Sequence, residues 1–288
     1  MTGAKRHELA ARVQRDRNML EGETRSIRLN DGTSVRLARF GHGPLVICVG
    51  TVPELGFVYA PHIRALESRY QIVVYEPRMS RSERVSVEDR AEELTAVAES
   101  LDEGPAHVLS WSDAGAAAYS ACIRRPELFR SAAFLGLADA YFFPGPLNLL
   151  AKQLYHRPIE RLFPAIVLRL LLSHYLSGRC ISPLWVYSET RRIGKLPLYF
   201  KHSILPLMLE HDSSQGEVPF PTLMVAGGQD TLVQVRQARA MAHILGPRCE
   251  FVLLPEGEHF LGYAAPETVG EALIQFYTSA DKTAENTE

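Results

Sequence analysis

Three residues of the types that cooperate in nucleophilic catalysis each follow a short apolar run: Ser112, Asp230 and His259. Ser112 lies in HVLSWSDAGAAA, where the apolar run meets small residues and an Ala-rich segment. This pattern predicts a strand, a sharp turn with Ser112 at its apex, and a helix. It is a relaxed G-x-S-x-G motif, with Ser110 and Ala114 at the glycine positions. Such a turn exposes the hydroxyl and directs a helix N-terminus toward a developing negative charge.

A serine hydroxyl is a weak nucleophile at neutral pH, so it needs a base and an acid that orients the base. Asp230 ends the segment VAGGQD, and His259 stands in LPEGEHF after the next apolar run. Catalytic groups gather at the carboxyl ends of strands in open α/β sheets, so we expect both residues near Ser112. The chain order Ser, Asp, His is known for catalytic triads. The alternative for Asp230 is a helix N-cap, because a helical pattern follows it.

Six short apolar runs alternate with helical patterns, which predicts an α/β fold with a mostly parallel sheet and helices on both faces. An Asn-Asp-Gly turn before the first run predicts a β-hairpin. Residues 4–20 are expected to form a polar surface helix. The six runs are Leu45–Val49, Ile72–Tyr75, His107–Leu109, Ala132–Leu137, Leu223–Ala226 and Glu250–Leu254.

Residues 140–217 interrupt the alternation with amphipathic helical patterns, several prolines and no clear strand. We predict a helical cap there, inserted into a core of residues 25–139 and 218–288, after a helical lead-in at 1–24. Aromatic side chains in and near this cap segment are candidates for a substrate pocket, although a helical apolar stripe is more often simple core. The candidates are Trp111, Phe142, Phe143, Trp185 and Phe260.

Composition excludes several classes of protein. The 288 residues are 46% apolar and 22% charged, as in an ordinary globular protein. A net charge of −2 without a basic stripe argues against nucleic-acid binding. The four cysteines are scattered, so neither a disulfide scaffold nor a zinc site is predicted. The charged N-terminus and the absence of a long apolar run lead us to expect a cytoplasmic protein without a membrane span.

From about residue 25 to 278 the chain resembles the α/β-hydrolase superfamily. SWSDAGAAA is similar to the segment around the nucleophile, VAGGQDTLV to the acid loop, and LPEGEHFLGYAAPE to the histidine loop. CVGTVPELG occupies the place of the oxyanion loop, and YEPRMSRSER resembles the segment after the strand that precedes the nucleophile. The resemblance implies an α/β-hydrolase fold with a lid and no metal or organic cofactor.

The resemblance also implies a role for each site residue. Ser112 becomes the nucleophile, His259 the general base and acid, and Asp230 the orienting carboxylate. Asp139, just after the fourth apolar run, is the alternative acid, because some members supply the carboxylate there. The oxyanion hole is expected from the backbone N–H of Asp113.

A second oxyanion donor is expected from the backbone of Thr51 or Val52, in the loop after the first apolar run. The side chain of Asp113 either contacts the substrate or is an exposed first-turn carboxylate favoured by the helix dipole, and we favour the second interpretation. Many family members carry His-Gly in the oxyanion loop, where this chain has Val49-Gly50. The histidine side chain that usually supports this loop in the family is therefore absent from this chain.

The expected activity follows from these assignments. We expect a serine hydrolase that forms an acyl-Ser112 intermediate and cleaves an ester, thioester or lactone of an apolar small molecule. The same triad also serves biosynthetic acyl transfer, cyclisation and carbon–carbon bond hydrolysis. The alternative outside enzymes is a small-molecule receptor that kept the fold without the chemistry. The protein is expected to be a monomer or a homodimer.

Overall fold

The computed structural model of the chain describes residues 3–78, 84–141, 146–156, 165–178 and 181–285. Among these residues, eight strands form one sheet. They are numbered along the chain, with the residue ranges given at the end of this paragraph, and their order across the sheet is β1-β2-β4-β3-β5-β6-β7-β8. The pairs β1–β2 and β2–β4 are antiparallel and the other neighbouring pairs are parallel, which confirms the predicted hairpin and sheet. The strands are β1 (Thr24–Arg28), β2 (Ser34–Phe40), β3 (Leu45–Cys48), β4 (Gln71–Glu76), β5 (Ala106–Trp111), β6 (Phe129–Leu135), β7 (Thr222–Gly227) and β8 (Cys249–Leu254).

Helices separate most of the strands. They are α1 (Gly3–Glu23), α2 (Ala60–Leu66), α3 (Val87–Leu101), α4 (Ala114–Arg124), α5 (Pro146–His156), α6 (Ala165–Tyr175), α7 (Pro183–Arg192), α8 (Leu196–Tyr199), α9 (Leu205–Leu209), α10 (Val235–Leu245), α11 (Leu261–Ala264) and α12 (Pro266–Glu285). A π-helix over Phe200–Ile204 joins α8 to α9. Short 3-10 helices lie at Gly56–Tyr59, Pro126–Leu128 and Ser213–Gln215.

The parallel part of the sheet is buried on both faces. Ile47 and Val108 point to one face, where they belong to the same apolar cluster as residues of α3, α4 and α10. Cys48 and Leu109 point to the other face and pack in the cluster that contains residues of α2 and α12. Successive side chains of a strand alternate between faces, so a strand covered on both sides must be apolar at every position. This explains the uninterrupted apolar runs of the sequence.

Helix α1 docks on the core more closely than its polar sequence suggests. Val13 is fully buried, and Asp16 accepts hydrogen bonds from Arg64 of α2 (2.5 Å) and from the hydroxyl of Tyr263 (2.6 Å). The expected helix is therefore present, but one of its sides is buried. The sequence did not show this because polar groups, and few apolar ones, form these contacts.

Helices α5 to α9 all lie between β6 and β7, within residues 140–217. Residues of α5, α6, the π-helix and α9 form a small apolar cluster, which contains Ala151, Leu168, Phe200 and Leu205. The assignment of this cap segment as a separate unit remains a prediction. No helix in the described ranges is both long and apolar enough to cross a membrane.

Candidate active site

Ser112 occupies a strained turn between β5 and α4. Its φ angle of 57° is in the left-handed region, which residues with a side chain rarely adopt. Its N–H donates a hydrogen bond to the carbonyl of Leu135 on the neighbouring strand at 3.0 Å. Ser110 and Ala114, two positions to either side, are fully buried. Larger side chains at these positions would have no space, which accounts for the relaxed motif.

The loops that follow β7 and β8 are fastened to each other through their backbones. The N–H of Gly228 donates to the carbonyl of Leu254 at 2.8 Å, and the N–H of Gln229 donates to that of Gly257 at 2.8 Å. A Cβ atom on Gly228 would lie 2.4 Å from the carbonyl oxygen of Pro255. Only glycine therefore permits this approach, which brings the two loops together beside Ser112.

Ser112, His259 and Asp230 form a continuous hydrogen-bonded chain. His259 Nε2 lies 2.9 Å from Ser112 Oγ, and His259 Nδ1 lies 2.9 Å from Asp230 Oδ2. An ionised carboxylate only accepts hydrogen bonds, so the neutral imidazole carries its proton on Nδ1 and offers the lone pair of Nε2 to the hydroxyl. His259 and Asp230 are buried and Ser112 is half-buried, so the serine is the most accessible of the three.

The second oxygen of Asp230 holds the turn that follows β7. Asp230 Oδ1 accepts the backbone N–H groups of Leu232 (2.8 Å) and Val233 (3.0 Å). Helix α10 begins farther along the chain, so Asp230 does not serve as its N-cap. Asp139 makes no hydrogen bond with His259, and its Oδ1 has no partner among the described residues. The structure thus brings Asp230, and not Asp139, to the imidazole.

Backbone N–H groups near Ser112 are available for an oxyanion. Within the described ranges, the N–H groups of Asp113, Thr51 and Val52 donate to no backbone carbonyl. Asp113 and Thr51 line the same cavity as Ser112. Backbone N–H groups at such a place are the donors that acyl transfer chemistry uses.

Tyr59 connects the loop after β3 to β5, the strand that ends next to Ser112, and we did not predict this role. Its hydroxyl donates to the carbonyl of Val49 at 2.6 Å and accepts from the N–H of Trp111 at 3.1 Å. The residue is buried in a 3-10 helix. No local signal identifies it, since the contacts join segments that are far apart in the sequence.

The side chain of Asp113 differs from the expectation. Only 5% of the residue is exposed, so the interpretation as an exposed first-turn carboxylate is wrong. The tight turn places the residue beneath the cavity, and its side chain makes no capping hydrogen bond to α4. Burial raises the pKa of the Asp113 carboxyl to about 6, against the opposing influence of its own N–H, His259 and Arg90.

An apolar cavity lies above Ser112. Of the candidate pocket residues, Trp111, Trp185 and Phe260 line it. Phe142 and Phe143 lie outside the described residues. The other walls come largely from the cap segment, through Leu168, Leu172, Leu176, Phe200, Ile204 and Met208.

Trp111 has a second contact that positions the site. Its indole N–H donates to the carbonyl of His259 at 2.8 Å, and the two rings lie 5.1 Å apart. The residue before the nucleophile therefore helps to hold the histidine loop. Among the described residues, no group of three or more His, Cys, Asp or Glu side chains is arranged to hold a metal ion.

Comparison with other sequences finds distant relatives. No family model matches the chain. A candidate carbamate hydrolase, RutD of Caulobacter segnis, is 26% identical over 249 residues, which cover 77% of this chain and 86% of RutD. The polyketide synthase ThaQ of Burkholderia thailandensis is 29% identical over 120 residues, 40% of this chain. That match covers only 6% of ThaQ.

Comparison with solved structures finds similarity along most of the chain. An esterase from Thermogutta terrifontis superposes with a TM-score of 0.74 at 18% identity, covering 89% of this chain and 98% of the esterase. A protein of Nostoc sp. PCC 7120 described as an α/β-hydrolase gives 0.71 at 19% identity, with 89% and 98% covered. The chain has the α/β-hydrolase fold. In this fold specificity resides in the particular site, so the substrate must be argued from the residues around Ser112.

Proposed function

We propose that this protein is a serine hydrolase that cleaves an ester, thioester or lactone with an apolar body. The observation that supports the proposal is the hydrogen-bonded chain from Ser112 through His259 to Asp230, which opens on an apolar cavity. A binding protein has no need for a serine at strained backbone geometry with an oriented base beside it.

In the proposed mechanism each group has a role that its position supports. Ser112 Oγ attacks the acyl carbon while His259 Nε2 takes the hydroxyl proton, and Asp230 stabilises the imidazolium that forms. The N–H groups of Asp113 and of Thr51 or Val52 bind the oxyanion. The intermediate expels the leaving alcohol or thiol, which takes the proton from His259 and leaves an acyl-Ser112.

Water completes the cycle. His259 removes a proton from a water molecule as that water attacks the acyl-Ser112, and a second oxyanion forms in the same hole. Its collapse releases the acid and returns the proton to Ser112. Carbamates present the same kind of acyl carbon, so the candidate activity of RutD lies within this chemistry.

A fluorophosphonate probe tests the nucleophile directly. We expect the wild-type protein to gain one covalent adduct, located on Ser112 by peptide mass spectrometry. The Ser112→Ala variant should give no adduct and no ester hydrolysis, while its circular dichroism spectrum remains that of the wild type. A folded wild-type protein that does not react would favour a receptor and overturn the proposal.

Acyl transfer to an acceptor other than water is the second candidate. The match to a segment of a polyketide synthase favours it, because the name of that relative indicates synthesis of a product and not hydrolysis. Incubation of an acyl thioester with amine or alcohol acceptors, followed by product analysis, separates the two activities. Free acid as the main product at millimolar acceptor supports hydrolysis, and an amide or ester as the main product supports transfer.

A further inference from the structure

Asp113 is a charged group that the catalytic mechanism above does not use. The mechanism takes only its backbone N–H, yet its side chain is buried at the cavity that contains Ser112. Its Oδ2 atom has no hydrogen-bond partner in the part of the chain that the structure describes. That oxygen is enclosed by protein, and a buried carboxylate without a counter-charge is costly, so a positive charge in the cavity that Asp113 lines would stabilise it.

Neighbouring cations do not neutralise this carboxylate. The guanidinium of Arg90 influences it from beyond ion-pair distance and is itself paired with Glu93 at 2.6 Å. The lining of the cavity includes no lysine or arginine among the described residues. Among the described residues, the cavity wall contains two carboxylates, Asp113 and Glu189. Glu189 is already paired with Arg17 of α1. The described site therefore contains one carboxylate without a counter-charge, next to the nucleophile.

The position of this charge affects the reaction itself. The carboxylate belongs to the residue whose N–H would bind the oxyanion, and this residue directly follows Ser112 and lines the same cavity. A negative charge at this place opposes the negative charge that develops on the substrate oxygen. A cation between the two would remove that opposition and would also supply the counter-charge that the buried carboxylate lacks.

We propose that Asp113 is a specificity-determining residue that binds an ammonium group of the substrate, close to the carbonyl that Ser112 attacks. This proposal rests on the proposed hydrolase function and narrows its substrate class. Ser112 and Asp113 are adjacent, with Cα atoms about 3.8 Å apart, and both line the cavity. An ammonium bound by Asp113 would therefore lie within a few bonds of the acyl carbon that Ser112 attacks. An α-amino acyl ester with an apolar side chain has an ammonium group near its acyl carbon and an apolar body that suits the rest of the cavity.

A matched pair of substrates tests the proposal. Phenylalanine methyl ester and methyl 3-phenylpropanoate differ by the amino group alone, and chromatography measures their hydrolysis at pH 7. We expect the wild type to prefer the amino ester by about tenfold or more in kcat/KM, the usual scale for a charged hydrogen bond. Equal rates, or a preference for the neutral ester, would overturn the proposal.

The Asp113→Asn variant examines the residue itself. It keeps the shape of the side chain and removes the charge, so kcat/KM should fall for the amino ester and stay level or rise for the neutral ester. An equal fall for both substrates would indicate a merely structural residue and contradict the proposal. Glu189→Gln is the charge-removal control, and we expect it to leave the ratio between the substrates unchanged.

A protection assay covers the case in which neither ester is turned over. Phenylalaninamide should slow fluorophosphonate labelling of the wild type at a lower concentration than 3-phenylpropanamide. Equal protection by the two amides would overturn the ammonium site while the labelling itself upheld the serine nucleophile. Absence of labelling would instead defeat the proposed hydrolase function, so the two failures are distinguishable.

Discussion

The hydroxyl of Tyr59 donates a hydrogen bond of 2.6 Å to the carbonyl of Val49, where β3 leads into the loop that contains Thr51. The same hydroxyl accepts the N–H of Trp111, which directly precedes the nucleophile. Val49 stands where many α/β-hydrolases carry a histidine. Tyr59 thus supplies a tether between the oxyanion loop and the strand that ends at Ser112.

Replacement of Tyr59 by Phe should weaken both stability and catalysis. The change leaves the Val49 carbonyl and the Trp111 N–H without a partner in a buried place, which costs about 1–3 kcal/mol of unfolding free energy. Because the donors then lose their fixed position, kcat should fall more than KM rises. Urea unfolding and steady-state kinetics measure the two effects.

Tyr277→Phe is the matched control for that variant. Tyr277 is also fully buried, and its hydroxyl donates to the carbonyl of Val108 at 3.0 Å. Its loss should reduce stability by a similar amount and leave kcat close to the wild-type value. Equal kcat values for the two variants would show that the Tyr59 bridge has no part in positioning the oxyanion donors.

The strain at Ser112 should appear as a stability difference between two inactive variants. A residue with a Cβ atom pays about 1–2 kcal/mol in the left-handed region, whereas glycine does not. We therefore expect Ser112→Gly to unfold at higher urea concentration than Ser112→Ala. At Ala114, a helical position of the same turn, a change to glycine should instead lower the free energy of unfolding, because glycine is unfavourable in a helix. Equal midpoints for the two Ser112 variants would show that the turn is unstrained.

The sequence predicted that Ser112, Asp230 and His259 lie close together, because the signals for these residues are local. Ser112, Asp230 and His259 each follow a buried strand, and parallel strands present their carboxyl ends at one edge of a sheet. The bounds of α3, α4 and α10 also agree with the periodicity, since each helix has one face on the sheet. The apolar runs thus predict the fold, and the residues that follow these runs are the candidates for the catalytic triad.

Other features depend on contacts between distant segments, which no local pattern contains. The sequence did not reveal the burial of Asp113, because the angle of the turn decides whether a first-turn side chain faces solvent or the cavity. Tyr59 has no local sequence signal, because its role exists only through its contacts with Val49 and Trp111. The choice between Asp230 and Asp139 also required the relative placement of two loops.

The choice of triad acid leads to a direct comparison of two variants. Asp230→Asn removes the charge that orients and stabilises His259, and it should lower kcat by about a thousandfold or more. Asp139→Asn should retain nearly wild-type kcat, because Asp139 makes no hydrogen bond with the imidazole. Fluorophosphonate labelling rates and ester kinetics should agree. A large loss in Asp139→Asn with an active Asp230→Asn would reverse the assignment of the acid.

The last prediction concerns the pH dependence of substrate choice. Burial raises the pKa of the Asp113 carboxyl to about 6, so the carboxylate is charged above that pH and protonated below it. The preference for the amino ester over its neutral counterpart should therefore be greatest near pH 7, where the carboxylate is charged and the amino group is still protonated, and it should decline as the pH falls through about 6. The substrate ammonium stays protonated over the acid range, so it does not cause this decline.

Other titrating and charged groups face Asp113, and the ratio of the two kcat/KM values separates their effects. His259, Arg90 and Tyr141 all interact with this carboxyl. Effects of these three groups on the acyl transfer step act on both substrates alike and therefore cancel in the ratio. The ratio for Asp113→Asn should be independent of pH between 5 and 7.5, because the amide has no proton to lose. A wild-type ratio that is equally flat would show that Asp113 does not recognise the ammonium.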